Sequence, residues 1–297
     1  MAIISASRRT DIPAFYGDWF MDKVRKGHCM VVNPFNGSAT TVSLKKEDVD
    51  GIVFWSRNYA PMLKNLRALY GMGYRFYCQC TMLDYPRFLD PATPAPGKSA
   101  RIAHSIRSEF GPRSVVWRYD PILITAKTDF RWHLERFKRL AKSLEGATDT
   151  CVISFVDWYR KLDRNLKPVL AANDASLIGV PPEEMAALAQ EMAGAAGNHG
   201  MTLESCCEPG LAPMIGKTAC IDIDRLSDVT GKDLTSIPKK PTRPACACAE
   251  SKDIGAYDTC VMGCAYCYAN RSRAASFINR RAIKPEDISL SPQARAK

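Results

Sequence analysis

The sequence lacks the features of a membrane-spanning or secreted protein. No apolar run approaches the roughly 20 residues that cross a bilayer. The first five residues are apolar only briefly before Arg8 and Arg9, whereas a secretion signal has its basic residues first. Hydrophobic residues make up 46% of the chain, which is enough for a packed core. We therefore expect a cytoplasmic protein with no membrane partner.

A glycine-rich phosphate loop and clustered histidines are also missing. The strand predicted over residues 3–6 leads into Ser7-Arg8-Arg9-Thr10-Asp11, which contains no glycine. This disfavours a dinucleotide-binding, doubly wound sheet. The four histidines fall in or beside predicted helices, and we interpret all of them as structural; they are His28, His104, His133 and His199.

Strand and helix patterns alternate along the chain. Strands are predicted over residues 3–6, 29–32, 51–55, 74–82, 114–119, 151–156 and 201–205, with a short eighth at 253–257. Repeated strand–helix units predict parallel strands with helical crossovers. Their even spacing favours a TIM-like (β/α) barrel. We expect one domain over residues 1–297, in which residues 206–270 form a cysteine-rich, cluster-binding part.

The predicted strand ends are polar, and in a (β/α) barrel the active site lies at the carboxyl ends of the strands. Alternation places Arg118 and Asp120 on one face of their strand, and Glu204 and Cys206 on one face of theirs. We interpret this ring as a pocket for a polar small-molecule substrate, with Asp120 and Glu204 as catalytic candidates. Other polar residues at the strand ends are Asn33, Asn36, Arg57, Asn58, Gln79, Thr81, Ser154 and Asp157.

Cysteine, in contrast, is abundant. The chain has twelve, and eight of them follow residue 205. In a reducing compartment this count favours metal binding or catalysis over disulfides. The other four lie in apolar, strand-like segments and are predicted to be buried small hydrophobes; they are Cys29, Cys78, Cys80 and Cys151.

Three of the late cysteines have a C-x3-C-x2-C spacing, and we call Cys260, Cys264 and Cys267 the cysteine tripod. Tyr266 immediately precedes the third. Three thiolates on a short glycine-containing loop can hold three corners of a [4Fe-4S] cluster and leave the fourth iron open. A four-thiolate zinc site that also uses Cys246-x-Cys248 is the structural alternative.

Five further cysteines leave several roles open; they are Cys206, Cys207, Cys220, Cys246 and Cys248. They can ligate a second metal or cluster, give the first cluster a fourth ligand, or act as redox thiols. A fourth thiolate would close the open iron.

The tripod spacing with Tyr266 resembles the radical S-adenosylmethionine (SAM) superfamily, and Tyr268-Ala269 is most similar to spore-photoproduct-lyase-like members. The whole chain resembles a bacterial family catalogued only as a domain of unknown function, from residues 5–13 (SASRRTDIP) through residues 117–121 (WRYDP) to the tripod. The superfamily resemblance implies SAM bound to the open iron, one-electron cleavage of a C–S bond, and an electron donor.

The position of the tripod departs from that superfamily, in which the cysteine loop follows the first strand. Here it comes last, so a strand over residues 253–257 beside the first strand would make the fold a circularly permuted radical-SAM-type barrel. By this resemblance Ser7 to Asp11 would face the cofactor. Asp11 would accept from its ammonium group, Arg8 or Arg9 would pair with its carboxylate, and Arg118 would complete the pocket.

The net charge of +10 is concentrated near the end of the chain, where residues 238–297 carry eleven Lys or Arg against five acids. We favour a solvated basic face over a nucleic-acid partner. The leading functional hypothesis is a radical SAM-type iron–sulfur enzyme. One alternative is a non-radical enzyme whose open iron is a Lewis acid, with Glu204 or Asp120 as acid or base. Another is a nucleic-acid repair or modification factor with a structural cluster.

Overall fold

The computed structural model describes residues 1–295, except for the side chain of Arg295; Lys297, counted above among the basic residues, lies outside it. The strands are β1 (Ala2–Ala6), β2 (His28–Val32), β3 (Ala39–Ser43), β4 (Val49–Ser56), β5 (Phe76–Thr81), β6 (Val115–Ile122), β7 (Thr150–Phe155), β8 (Thr202–Ser205) and β9 (Lys252–Asp253). The α-helices are α1 (Ile12–Phe15), α2 (Gly17–Lys26), α3 (Leu63–Gly71), α4 (Pro96–Phe110), α5 (Phe130–Leu144), α6 (Arg160–Ala171), α7 (Pro182–Gly197), α8 (Ala212–Ile215), α9 (Ile223–Thr230) and α10 (Arg273–Ala282).

Seven strands form one parallel sheet in the order β8-β7-β6-β5-β4-β1-β9. The class is therefore α/β, with a central parallel sheet flanked by helices. Within residues 1–295 the strand order has two ends, β8 and β9, so it does not show closure into a barrel. The last strand is much shorter than predicted, yet it lies parallel to and beside β1.

Alternation along the strands builds two hydrophobic layers. Side chains such as Phe54, Trp117 and Ile153 join the larger cluster, which includes residues of the crossover helices. The intervening residues face the opposite side, which we call the inner face; they are Ile3, Val53, Tyr77, Val116 and Val152. Residues 206–250 cover the inner face through Ile221, Leu226 and other apolar side chains.

Local signals define the helix ends. The Asp129 carboxylate accepts a hydrogen bond from the Trp132 N–H at 2.8 Å and so caps α5. Gly27 ends α2 with a φ of 77°, a left-handed conformation that glycine adopts at little cost. The single helix predicted from Pro13 to Lys26 is instead divided at Tyr16 into α1 and α2.

One element prediction is wrong. The predicted strand at residues 29–32 does not join the parallel sheet, because β2 pairs antiparallel with β3 in a separate two-stranded sheet. Asn33 and Asn36 consequently lie in the exposed turn of that hairpin and not at the end of a central strand.

The structure can be compared directly with two predictions, one for the four early cysteines and one for membrane spans. Cys29, Cys78, Cys80 and Cys151 are at most 5% exposed and lie in the hydrophobic core, which confirms their prediction as buried hydrophobes. No helix in residues 1–295 is long and apolar enough to cross a bilayer.

Candidate metal centre

The tripod loop between β9 and α10 is fixed by side-chain hydrogen bonds to its backbone carbonyls. Asn270 Nδ2 donates to the Cys260 carbonyl at 2.7 Å, and Tyr16 Oη donates to the Thr259 carbonyl at 2.6 Å. Gly263, between the first two cysteines, has a φ of +79°. These contacts therefore define the shape of the loop.

Tyr266 joins this loop to the ends of two distant segments. Its hydroxyl donates to the Asp90 carboxylate at 2.8 Å and accepts from Arg57 Nη2 at 2.6 Å. Arg57 Nη1 also binds Asp90 at 2.7 Å. Asp90 and Tyr266 are buried. The aromatic residue of the cysteine motif is thus part of a closed, charged network.

The three tripod thiols lie among backbone N–H groups and near the positive charges of Arg57 and Lys161. The Ala269 N–H donates to Cys267 Sγ at 3.3 Å, and the N–H groups of Met262 and Asp11 are directed at the Cys260 sulfur. Burial raises the pKa of all three thiols, while the nearby Arg57 charge partly lowers the pKa of Cys264 and of Cys267. These surroundings stabilise thiolates once a metal displaces their protons.

The tripod fits an iron–sulfur cluster by donor chemistry. Among residues 1–295, no three His, Cys, Asp or Glu side chains converge in a preformed metal site. Thiolates are nevertheless the ligands that such clusters use, and N–H···S hydrogen bonds tune them. Cys260, Cys264 and Cys267 offer three thiols on one loop, with N–H donors at two of them. These residues therefore can hold a cluster by three corners.

Arg8 and Arg9 lie beside Asp253, a residue that was predicted only as part of a strand. The Asp253 carboxylate accepts from Ser5 Oγ at 2.6 Å, Ser7 Oγ at 2.7 Å and the Arg8 N–H at 2.9 Å. The Arg8 and Arg9 guanidinium groups approach it at 3.8 and 3.9 Å. Asp253 therefore fixes the loop after β1 against β9 and gathers two positive charges there.

Arg118 and Asp120 share the inner face of β6 and form an ion pair, as strand alternation predicts. Ser154 Oγ lies 3.5 Å from the Asp120 carboxylate. Glu204 is opposite Val152 in the sheet register, so it faces the same side. The sheet thus brings these three predicted residues to one face, with Arg118 and Asp120 in direct contact.

Asp11 joins α1 to the end of β4. One carboxylate oxygen accepts from the Ala14 N–H at 2.9 Å and the other from the Arg57 N–H at 2.9 Å. Burial raises its pKa to about 6, against the lowering effect of these hydrogen bonds. Its role toward a cofactor's ammonium group stays a prediction.

Two adjoining surface pockets lie near Arg57. Both are lined by Arg57, Thr81, Met82, Pro94 and Ser99. They are bounded by the ends of β4 and β5 and by the proline-rich segment before α4. This proline-rich segment forms one wall of the pockets.

A second group of thiols covers the inner face, and we call Cys206, Cys207, Cys220, Cys246 and Cys248 the inner thiol ring. The Cys206 sulfur lies 3.3 Å from that of Cys220 and 3.9 Å from that of Cys207. The remaining thiol contacts join Cys220 to Cys248, Cys248 to Cys246, and Cys246 to Cys207. Cys220 was the member with the least distinctive sequence context, since it has no neighbouring cysteine.

The pKa values of the ring thiols differ strongly because their surroundings differ. Hydrogen bonds from the Cys206 and Cys248 thiols, together with Arg118 at 3.2 Å, hold the pKa of Cys220 well below its usual range. Burial raises the pKa of Cys246, but hydrogen bonds from backbone N–H groups outweigh it and bring the value to about 7. The same hydrogen bonds to Cys220 raise the pKa of Cys206 and of Cys248.

Comparison with known proteins gives one decisive match. A family model described as "Domain of unknown function (DUF1848)" matches residues 3–269. The chain belongs to this family. The DUF1848 match extends from β1 through the whole cysteine tripod and ends before α10, so the sheet and the tripod are parts of one family unit.

The other comparisons add little to the DUF1848 assignment. No curated protein matches. A crystal structure from Bacteroides thetaiotaomicron, titled as a candidate alpha-L-fucosidase, is similar over 68% of this chain and 81% of its own, with 11% identity and a TM-score of 0.25. That likeness is too low to bear on fold or activity.

Proposed function

We propose that this protein is an iron–sulfur enzyme of radical SAM type, in which Cys260, Cys264 and Cys267 hold a [4Fe-4S] cluster with one open iron. The supporting observation is the attachment of the tripod loop to the polar end of β1. Tyr268, next to Cys267, donates a hydrogen bond to the Arg8 carbonyl, and Tyr16 donates to the Thr259 carbonyl. Residues about 250 positions apart in sequence are thereby placed together.

The strand order supports a circularly permuted radical-SAM-type barrel. The unit formed by β9, the tripod loop and α10 comes last in the chain but lies beside β1 and parallel to it. Moving this unit to the front of the chain would restore the order in which a cysteine loop follows the first strand. The inner face, filled by residues 206–250, would then be the interior of a partial barrel.

The chain's own residues would position a polar cofactor and substrate. The cluster supplies, when bound, the electron that cleaves a C–S bond of SAM. Arg8 and Arg9 offer two guanidinium groups for a carboxylate, held in place by Asp253. Asp120 and Glu204 are the candidates to hold or move a proton on the substrate. Arg118 forms an ion pair with Asp120 and so orients its carboxylate.

Anaerobic reconstitution followed by electron paramagnetic resonance (EPR) of the reduced protein tests this proposal. We expect a [4Fe-4S] signal that changes when SAM is added, together with formation of 5′-deoxyadenosine. The Cys264→Ala variant should lose the signal, whereas Cys29→Ala, at a buried cysteine outside both thiol groups, should retain it.

An unchanged spectrum with no 5′-deoxyadenosine would overturn the radical proposal. A spectrum that responds to substrate but not to SAM would instead support the Lewis-acid alternative. Several C-terminal basic residues are already paired, such as Arg271 with Asp258 and Arg243 with Asp157. No observation favours the nucleic-acid alternative over the radical proposal or the Lewis-acid alternative.

A further inference from the structure

The inner thiol ring is a separate site from the tripod. Cys206 follows β8 at one edge of the sheet, whereas the tripod follows β9 at the other edge. Three separate segments supply the ring: residues 206–207, residue 220 and residues 246–248. Cys206 and Cys248 are 4% and 1% exposed. Its thiols therefore contact one another because of the fold and not because they are neighbours in sequence.

Five thiols in mutual contact exceed what hydrophobic packing requires. A buried cysteine usually acts as a small apolar side chain, and the early cysteines of this protein illustrate that role. Disulfide exchange uses two thiols, whereas here Cys206 and Cys220 are 3.3 Å apart and three further thiols adjoin them. A group of more than two thiols suits the binding of a thiophilic metal ion better than it suits a redox pair.

The sulfur separations indicate which kind of metal group would fit. Thiolates around one tetrahedral zinc ion, with Zn–S bonds of about 2.3 Å, lie about 3.8 Å apart. The Cys206 and Cys220 sulfurs are 3.3 Å apart, which is close to this value. Thiolates on a [4Fe-4S] cluster lie farther apart because the cube of iron and sulfide separates them. The spacing of Cys206 and Cys220 therefore suits a single ion.

The surroundings of the ring match a buried, negatively charged thiolate site. Arg118, itself 5% exposed, places Nη1 3.2 Å from Cys220 Sγ. The Ile221 N–H donates to Cys248 Sγ at 3.4 Å, and the Cys248 N–H donates to Cys246 Sγ at 3.5 Å. Four thiolates on a divalent ion leave an excess of negative charge, which these donors and the guanidinium would balance.

We propose that Cys206, Cys220, Cys246 and Cys248 bind one structural Zn²⁺ ion that fixes residues 206–250 on the inner face of the sheet. Cys207, next to Cys206 in sequence and in a left-handed backbone conformation with a φ of 61°, is the ring member that this ligand set leaves out. In the present arrangement the thiols pair with one another without converging, so zinc binding turns their side chains toward a common point. Zinc would join the end of β8 to the two segments that follow it.

Metal analysis of a protein without the tripod tests this proposal independently of the proposed function. The starting protein is the Cys260→Ser, Cys264→Ser, Cys267→Ser triple variant, incubated with zinc sulfate under anaerobic conditions and desalted. We expect about one zinc per chain, with X-ray absorption showing about four sulfur neighbours at about 2.3 Å. Adding Cys220→Ser or Cys246→Ser should lower the zinc content at least about tenfold. The matched control, Cys207→Ser, should keep it.

A zinc content near zero in the triple variant would overturn the proposal, as would equal loss of zinc on Cys207→Ser. Iron in place of zinc at these cysteines, or a Cys206–Cys220 disulfide found by mass spectrometry of anaerobic protein, would also contradict it. If the variants that add Cys220→Ser or Cys246→Ser to the triple variant do not fold, an organomercurial titration of the triple variant itself decides instead. Zinc should then be released as four thiols react, and release without reaction of Cys248 would reject the ligand set.

Discussion

The Tyr266 hydroxyl lies at the contact between the cysteine loop and the rest of the fold. It completes the hydrogen bonding of Asp90 and Arg57, which come from two other segments. Because Asp90 and Tyr266 are buried, water cannot readily replace a lost partner. This one oxygen therefore couples the shape of the tripod loop to the sheet.

Removing that oxygen should cost stability and cluster binding. Tyr266→Phe keeps the ring in place but leaves Asp90 and Arg57 one partner short, so we expect a loss of about 1–3 kcal/mol in the free energy of unfolding. Urea denaturation measures it, and iron per chain after reconstitution should fall in parallel. Tyr70→Phe, at a partly exposed tyrosine, is the control, with an expected change below about 0.5 kcal/mol. Equal stability of the two variants would contradict this account.

His133 should make stability depend on pH. It is fully buried, with Nδ1 2.9 Å from Tyr119 Oη and Nε2 3.1 Å from the Leu123 carbonyl. Burial lowers its pKa from 6.5 to about 4. The unfolded chain therefore takes up the proton first as the pH falls. The contribution of His133 to the free energy of unfolding is complete above pH 6.5 and is lost as the pH falls toward 4.

The test compares the wild type with His133→Gln. The stability advantage of the wild type should shrink by about 2 kcal/mol between about pH 7.5 and about pH 5 in urea denaturation. Leu140→Ala, a buried change on the same helix with no titrating group, should cost the same at both pH values. An advantage of the wild type over His133→Gln that does not vary with pH would show that the histidine is not held neutral.

In the tripod loop, Gly263 meets two constraints. Its φ is +79°, and an added Cβ would lie 3.2 Å from Pro91 Cγ and 3.5 Å from Arg273 Nε. Gly263→Ala should therefore distort the loop, strain the backbone by about 1 kcal/mol or more and lower the iron bound per chain. Gly194→Ala on α7, where nothing lies within 4 Å, is the control and should bind iron like the wild type. Normal iron content in both variants would contradict a requirement for this loop shape.

Helix α9 is held to the sheet by a buried arginine. Arg225 is 2% exposed, and its guanidinium donates to Asp149 at 2.9 Å, Thr150 at 2.7 Å and the Arg113 carbonyl at 3.0 Å. Arg225→Met should destabilise the protein by about 1–3 kcal/mol, because the Arg113 carbonyl and Thr150 lose a buried charged donor, whereas the partly exposed Asp149 keeps Arg113 as a partner. Thermal unfolding measures this loss. Arg131→Met, at an exposed ion pair, is the control. Equal melting temperatures of the Arg225→Met and Arg131→Met variants would refute the role assigned to Arg225.

Most central elements could be predicted from the sequence, because burial on both faces gives strands such as β4 to β7 continuous apolar runs. Two elements show where prediction from apolar runs fails. Residues 29–32 have the same apolar character, but their antiparallel partner β3 has a weak pattern and makes them a hairpin. The strand predicted over residues 253–257 is reduced to the two residues of β9, and its pairing with β1 sets these bounds.

At the scale of the whole molecule, the spacing of the cysteines identifies the tripod but not the residues that support its loop. C-x3-C-x2-C is a local signal, whereas Asp90 contacts Tyr266 across 176 residues of sequence and Asp253 contacts Ser5 across 248. Their roles follow from strand order, which a single sequence does not specify. The same holds for the inner thiol ring, where Cys220 contacts Cys206 and Cys248 only after residues 206–250 fold onto the inner face.

Mössbauer spectroscopy of protein reconstituted with ⁵⁷Fe tests the central claim, a cluster held at three corners by the tripod, most directly. The account predicts one [4Fe-4S] cluster per chain in the wild type and none in the tripod triple variant. Addition of SAM should give one iron in four a distinct signal, because only that iron lacks a thiolate. A cluster that persists in the triple variant, or four irons that stay equivalent with SAM, would contradict it.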